Sequence, residues 1–242
     1  VKNKIHRLKF PKNEDTVEEK KVVDYLYIEA DEDHVSLQFR EKKGDLAENE
    51  NGCKNNCLMT KLVYVHEGIE REAPRSERYR LINPYYFSGT RKGEENKELW
   101  DEVYDYLNRH YDLEKVKRIY VNADGGAWIK AGMKRISNLV YVLDGFHLEK
   151  YIIKLTSHML DTTEDAKAEL RRAIRKGKKA DFRDVVERLK LSIETEAGLK
   201  RIEKAGEYIL SNWTAAKYRL SHKEGVIGSS TEGHVSHLLS DR

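Results

Sequence analysis

Two short apolar runs, 20 residues apart, constrain this chain more than any other feature. Ile119-Tyr120-Val121 and Leu139-Val140-Tyr141-Val142-Leu143 fall within Arg118–His147, and each run leads into an aspartate followed by glycine, Asp124-Gly125 and Asp144-Gly145. Short apolar runs rich in β-branched and aromatic residues and bounded by glycine read as buried strands. A carboxylate near a core is costly unless it is paired or holds a metal. Open α/β sheets bind their ligands at the carboxyl ends of their strands. The stretch therefore predicts two buried strands whose ends carry Asp124 and Asp144 at a site.

The flanking sequence fills in a sheet around them. Val22–Ala30 reads as a strand, Asp31-Glu32-Asp33-His34 as a turn, and Val35–Phe39 as a second strand closing a hairpin. Residues 40–58 form a polar excursion, 62–70 a third strand, and 71–93 a loop with Pro74, Pro84 and Gly89. Trp100, Val103, Tyr104, Leu107 and Tyr111 share one face of a helix over 94–111. Further helices are expected at about 126–134 and 147–159. The order β-β-β-α-β-α-β-α predicts an antiparallel sheet edge continued by parallel strands. These are the proportions of an α/β, ribonuclease-H-like mixed sheet with helices on both faces.

From Asp161 onward the pattern is helical and highly charged, with helices expected at 163–177, 181–193 (capped by Asp181) and 196–213. The expected organisation is an arm or linker over 1–21, a catalytic core over 22–160, an all-helical insertion over 161–221, and a return to the core over 222–242. Ser229 and Glu232 match the S-x-x-E capping pattern, so a helix is expected from about residue 230 with Glu232 in its first turn.

Charge and cysteine content limit the setting. Net charge is +3, so a polyanionic partner would have to be met by local clustering. Such a cluster exists between Arg171 and Arg183, where Arg171, Arg172, Arg175, Lys176, Lys178, Lys179 and Arg183 face one acid, Asp181. The first six are the expected DNA-backbone contacts, although charge runs commonly form solvated helix faces. Two cysteines give no disulfide framework, and no apolar run reaches the ~20 residues that span a bilayer. A cytoplasmic protein without a membrane partner is expected. The start at Val1 and the stop at Arg242 are those expected of a fragment.

Asp31, Asp124 and Glu232 form the candidate catalytic set, two acids at strand ends and one at a helix start. Asp33, two residues from Asp31 and on the same side of an extended chain, is the alternative first ligand. Hard carboxylate oxygens suit Mg²⁺ or Mn²⁺. Each acid taken alone also reads as a turn or capping residue. His234 and His237 are three apart, but no second close pair accompanies them as a structural zinc site would require. Cys53 and Cys57 read as ordinary thiols.

Asp124-Gly125-Gly126-Ala127-Trp128-Ile129-Lys130, Val142-Leu143-Asp144-Gly145-Phe146-His147 and the stretch from Glu232 to Arg242 together resemble bacterial insertion-sequence transposases of the Lre type. Those are relatives of the Mutator-like group of DDE transposases. The resemblance runs from about Tyr25 to Arg242. It implies a ribonuclease-H-like fold in which Asp31, Asp124 and Glu232 hold Mg²⁺, and an enzyme that cuts DNA at element ends and joins it to target DNA. It also implies that Asp144 and His147 match a Cys/Asp-x-x-His pair, standing behind the ligands or positioning DNA, with His234 and His237 in similar roles. Paired-end cutting makes a homodimer the expected assembly. An inactive DNA-binding remnant and a metal-dependent nuclease of the same fold are the alternatives. Three departures stand beside the resemblance: no obvious DNA-binding module precedes residue 25, the chain stops soon after Glu232, and Gly125-Gly126 adds flexibility after Asp124.

Overall fold

A computed structural model describes residues 19–36, 57–91, 93–159, 161–221 and 223–228. Its main sheet has five strands: β1 (Tyr25–Ser36), β2 (Cys57–His66), β5 (Tyr85–Gly89), β6 (Arg118–Ala123) and β7 (Leu139–Leu143). Their spatial order is β5-β2-β1-β6-β7. β2 runs antiparallel to β1 and β5, while β1, β6 and β7 are mutually parallel. A separate hairpin pairs β3 (Gly68–Arg71) with β4 (Tyr79–Ile82). Helices α1 (Glu95–His110), α2 (Ala127–Met133) and α3 (Gly145–Thr156) alternate with the last two sheet strands. Four helices follow: α4 (Thr163–Lys176), α5 (Lys179–Lys190), α6 (Glu196–Ser211) and α7 (Trp213–Leu220).

The two central parallel strands are buried on both faces because each face has its own cover. Leu26, Ile28 and Ala30 of β1 and Ile119, Val121 and Ala123 of β6 pack with Leu99, Trp100, Val103 and Leu107 of α1 and Ile129 of α2. The alternate residues Tyr27, Tyr120 and Val142 pack with Tyr218, Val226 and Ile227. This two-sided burial explains why Ile119–Val121 is a continuous apolar run rather than an alternating one. A second large core joins Leu143 and α3 to α4–α7 through Leu148, Ile152, Leu170, Ile174, Phe182, Val185, Leu189, Ile202 and Ile209.

Several expectations are corrected. Residues 31–34 are not a turn: β1 continues through Asp31 and Asp33 to Ser36, and its partner is 57–66 rather than 35–39. Pairing with β2 satisfies the backbone of this polar half-strand, so it stays extended without an apolar face. The expected strand 62–70 is split at Glu67 between two sheets, and the expected loop 71–93 contains β4 and the sheet-edge strand β5. Pro84 precedes β5, where its missing N–H costs no ladder bond. In α1, Leu99 takes the buried place expected for Tyr104, which is 38% exposed. Asp181 lies in the first turn of α5 rather than at its cap, and Trp213 begins a separate helix, α7. Trp213 is a core residue, edge-on to Phe182 at 5.4 Å.

Candidate functional site

Strand register brings three of the expected acids, Asp31, Asp124 and Asp144, to neighbouring positions. Ala30 is paired with Ala123, and Ala123 with Leu143. Asp31, Asp124 and Asp144 are the next residues on three adjacent parallel strands. Neighbouring strands lie about 4.8 Å apart, so Asp31 and Asp124 are direct neighbours and Asp144 lies one strand further on. Asp33 sits opposite Thr60, two residues beyond Asp31 and about 7 Å further along the strand. The register thus favours Asp31 over Asp33 as the neighbour of Asp124.

Local hydrogen bonds fix the backbone around each acid. Asp31 Oδ1 accepts from the Glu32 N–H at 2.8 Å, and Asp124 Oδ1 accepts from the Gly126 N–H at 2.9 Å. The Tyr208 hydroxyl donates to the Asp124 carbonyl at 2.5 Å. Gly125 has φ +94°, and a Cβ there would lie 2.6 Å from Asn212 Oδ1 and 2.8 Å from the Tyr141 hydroxyl. The glycine expected to loosen this turn is instead required by it, because only glycine accepts both the φ and the close approach of Asn212.

Asp144 caps α3, its Oδ2 accepting from the His147 N–H and from His147 Nδ1, each at 3.0 Å. Burial works to raise the Asp144 carboxyl, but the two hydrogen bonds from His147 and the nearby Arg219 charge bring it below the ordinary range. The bond to Asp144 raises His147 against the effect of burial, and the charges of Asp144, Asp124 and Asp31 add to the rise. His147 therefore senses all three carboxylates. Burial, together with Asp124 and Asp144, also raises Tyr141, and burial with Tyr141 and Asp124 raises Tyr208, so both hydroxyls stay protonated donors.

A buried polar layer lies one step back along the same strands. Glu29 and Asn122 are register neighbours, 0% and 1% exposed. Glu29 Oε2 accepts from the Tyr64 hydroxyl at 2.6 Å, and Glu29 Oε1 lies 3.4 Å from His66 Nε2. Asn122 Oδ1 accepts from Arg219 Nη2 at 2.7 Å. Tyr141, Tyr208, Asn212 and Arg219 carry no motif or spacing that would have singled them out in the sequence, since each acts through a neighbour distant along the chain.

Glu232, His234 and His237 lie outside the described residues. Among the described residues no group of three His, Cys, Asp or Glu could hold a metal ion. The carboxylates of Asp31 and Asp124 are hard-oxygen groups of the type that suits Mg²⁺ or Mn²⁺.

The basic cluster divides in two. Arg171 is engaged by Glu149 of α3, and Lys178 lies 3.8 Å from Asp181. Arg172, Arg175, Lys176 and Lys179 are exposed on α4 and the start of α5. The groove between these helices mixes Arg172, Lys176 and Arg188 with Glu169, Asp181 and Asp184. Among the described residues no helix is long and apolar enough to cross a membrane.

Two UPF0236 proteins of Caldanaerobacter subterraneus subsp. tengcongensis are each 38% identical to this chain over 226 residues, covering 93% of it and 41% and 44% of their own length. The name of another from that strain, 36% identical, joins eleven gene designations. A UPF0236 protein from the vanSb 3′ region of Streptococcus gallolyticus is 29% identical over 181 residues. The chain thus spans less than half the length of the relatives it matches. Among solved structures, the Drosophila P element transposase strand transfer complex aligns at TM-score 0.28 and 12% identity, over 89% of this chain and 49% of that one. Residues 4–242 match the family described as "Uncharacterised protein family (UPF0236)", and the chain belongs to that family.

Proposed function

We propose that this chain is the ribonuclease-H-like catalytic segment of a DDE-type transposase, cutting DNA at the ends of a mobile element and joining those ends to target DNA. The observation that carries the reading is the register that sets Asp31, at the point where β1 runs on past its partner β6, beside Asp124, just after the end of β6, with the Asp144–His147 pair one strand away. Three antiparallel strands, β1, β2 and β5, with the β3–β4 hairpin between the last two, continued by two parallel strands each reached through a helix, fit the proportions the resemblance implies. The eleven designations under one relative's name fit a gene that is itself copied.

In this reading Asp31, Asp124 and Glu232 hold Mg²⁺ or Mn²⁺. When bound, the metal supplies a Lewis acid for the attacking and leaving oxygens of a phosphodiester. Ile227, the fifth residue before Glu232, packs with Tyr120 of β6 and Val142 of β7. Tyr208 and Asn212 keep the Asp124 turn in place. His147, kept protonated to higher pH by Asp144, offers a positive charge to a phosphate oxygen beside the carboxylates. Arg172, Arg175, Lys176 and Lys179, with Lys178, supply backbone contacts for DNA. A homodimer would let two element ends be processed together.

The test uses the intact polypeptide that carries this segment, element-end DNA and Mg²⁺. Specific nicking and joined product are expected, both abolished by Asp124→Asn. Cleavage unchanged in that variant refutes the site, and nicking without joined product replaces the transposase with a nuclease of the same fold.

A further inference from the structure

One guanidinium ties β6, β7 and the segment after α7 together beside the carboxylates. Arg219, near the end of α7, donates from Nε to the Leu143 carbonyl at 2.9 Å, from Nη2 to Asn122 Oδ1 at 2.7 Å, and from Nη1 to the Ile227 carbonyl at 2.7 Å. Leu143 immediately precedes Asp144, and Asn122 lies two residues before Asp124. Ile227 belongs to the segment that leads towards Glu232. No carboxylate lies within ion-pair distance of Arg219 among the described residues; its charge is balanced at longer range by Asp144 and Glu29. All three acceptors lie in directions that one planar fork satisfies together, which a lysine ammonium on a flexible stem cannot match.

The segment is also fastened behind this point. Tyr27 donates to the Gly225 carbonyl at 2.8 Å and Tyr120 to the Glu224 carbonyl at 2.9 Å. Val226 and Ile227 pack against the sheet face formed by Tyr27, Tyr120 and Val142. The tyrosines hold the segment to the sheet further from the acids, whereas Arg219 fixes it where β6 and β7 end.

We propose that Arg219 is a positioning residue for the cation site, holding the strand ends that lead into Asp124 and Asp144 in register with each other and with the segment that follows α7. The proposal rests on the metal-dependent reading above. It implies that Arg219 acts on metal affinity through placement of the Asp124 carboxylate, without touching metal or DNA.

The test is Mn²⁺ binding to the intact polypeptide, read by the paramagnetic signal of free Mn²⁺ without any turnover. Arg219→Lys is expected to raise the half-saturating Mn²⁺ concentration about tenfold, as loss of groups supporting metal ligands commonly does. DNA affinity measured without metal should stay unchanged, a separation that a general loss of structure would not give. Asn122→Ser removes one of the three acceptors and keeps Arg219, and should shift Mn²⁺ binding in the same direction by a smaller factor. It decides the matter if Arg219→Lys does not fold. Asp124-dependent Mn²⁺ binding that neither variant weakens overturns the role of Arg219 alone, as does a parallel fall in metal-free DNA binding. Mn²⁺ binding that Asp124→Asn leaves intact overturns the cation site, and the positioning role with it.

Discussion

Replacing Gly125 by alanine puts the site's backbone geometry to a quantitative test. At φ +94° an alanine carries the steric cost of the left-handed region, roughly 1–2 kcal/mol. The added Cβ would also meet Asn212 Oδ1 at 2.6 Å and the Tyr141 hydroxyl at 2.8 Å. Neither neighbour is free to move. Asn212 is 5% exposed and donates to the Tyr208 carbonyl at 3.0 Å, and Tyr141 packs in both large cores. Overpacking of this kind adds about 1–3 kcal/mol, for a total of roughly 2–5 kcal/mol. Gly177 is the internal control. It ends α4 at φ +71°, and a Cβ there meets only the Lys217 side chain, with Nζ at 2.8 Å. An exposed lysine tip can swing aside, so Gly177→Ala should cost the backbone strain alone, about 1–2 kcal/mol. Urea unfolding with an unchanged slope reads both values as shifts of the midpoint. Equal midpoints for the two variants would refute the claim that Asn212 and Tyr141 close on the Asp124 turn.

Asp144→Asn keeps the helix cap, because an asparagine oxygen accepts from the His147 N–H as an aspartate does, but removes the charge that pairs with the His147 ring, which gives a pH signature. His147, raised above its ordinary 6.5, contributes stability that is full below 6.5 and lost as pH rises through its folded value. Asp144, lowered from 3.8, contributes stability present above 3.8 and lost as pH falls through its folded value. The Tm gap between wild type and Asp144→Asn should therefore be widest between pH 3.8 and 6.5 and narrow on both sides, and a pH-independent gap would contradict the pairing. Alanine at Arg172, Arg175 or Lys176 should flatten the plot of log DNA affinity against log salt by about 0.9 for each phosphate left without its cation. Arg171→Ala, which breaks the pair with Glu149, should leave that slope unchanged; an equal flattening would show that Arg171 also reaches DNA.

The sequence made β6 and β7 legible because their chemistry is local. A strand buried on both faces must be apolar throughout, so Ile119–Val121 stands out, and Leu139–Leu143 stands out because helices also pack on the edge strand it forms; the aspartate that follows each marks where the strand ends. The same reasoning failed at Asp31–His34. A polar stretch read as a turn is a strand there because β2, more than twenty residues away, supplies its hydrogen bonds. β5 escaped notice because five residues after a proline carry too little pattern to outweigh loop signals. Tyr208, Asn212 and Arg219 were invisible for a different reason. Each is an ordinary residue of a charged helical stretch, and its importance comes from meeting Asp124, Gly125 or Leu143 across 76 to 87 positions of chain.

The central claim is that Asp31 and Asp124 share a divalent cation where β6 ends beside β1. A crystal structure of the intact polypeptide soaked in Mn²⁺, with the ion located by its anomalous scattering, tests this most directly. The account predicts one Mn²⁺ peak with carboxylate oxygens of both Asp31 and Asp124 at roughly 2.0–2.3 Å, and a third carboxylate from the segment beyond Gly228. A Mn²⁺ ion held elsewhere, with Asp31 and Asp124 both uncoordinated, would contradict it.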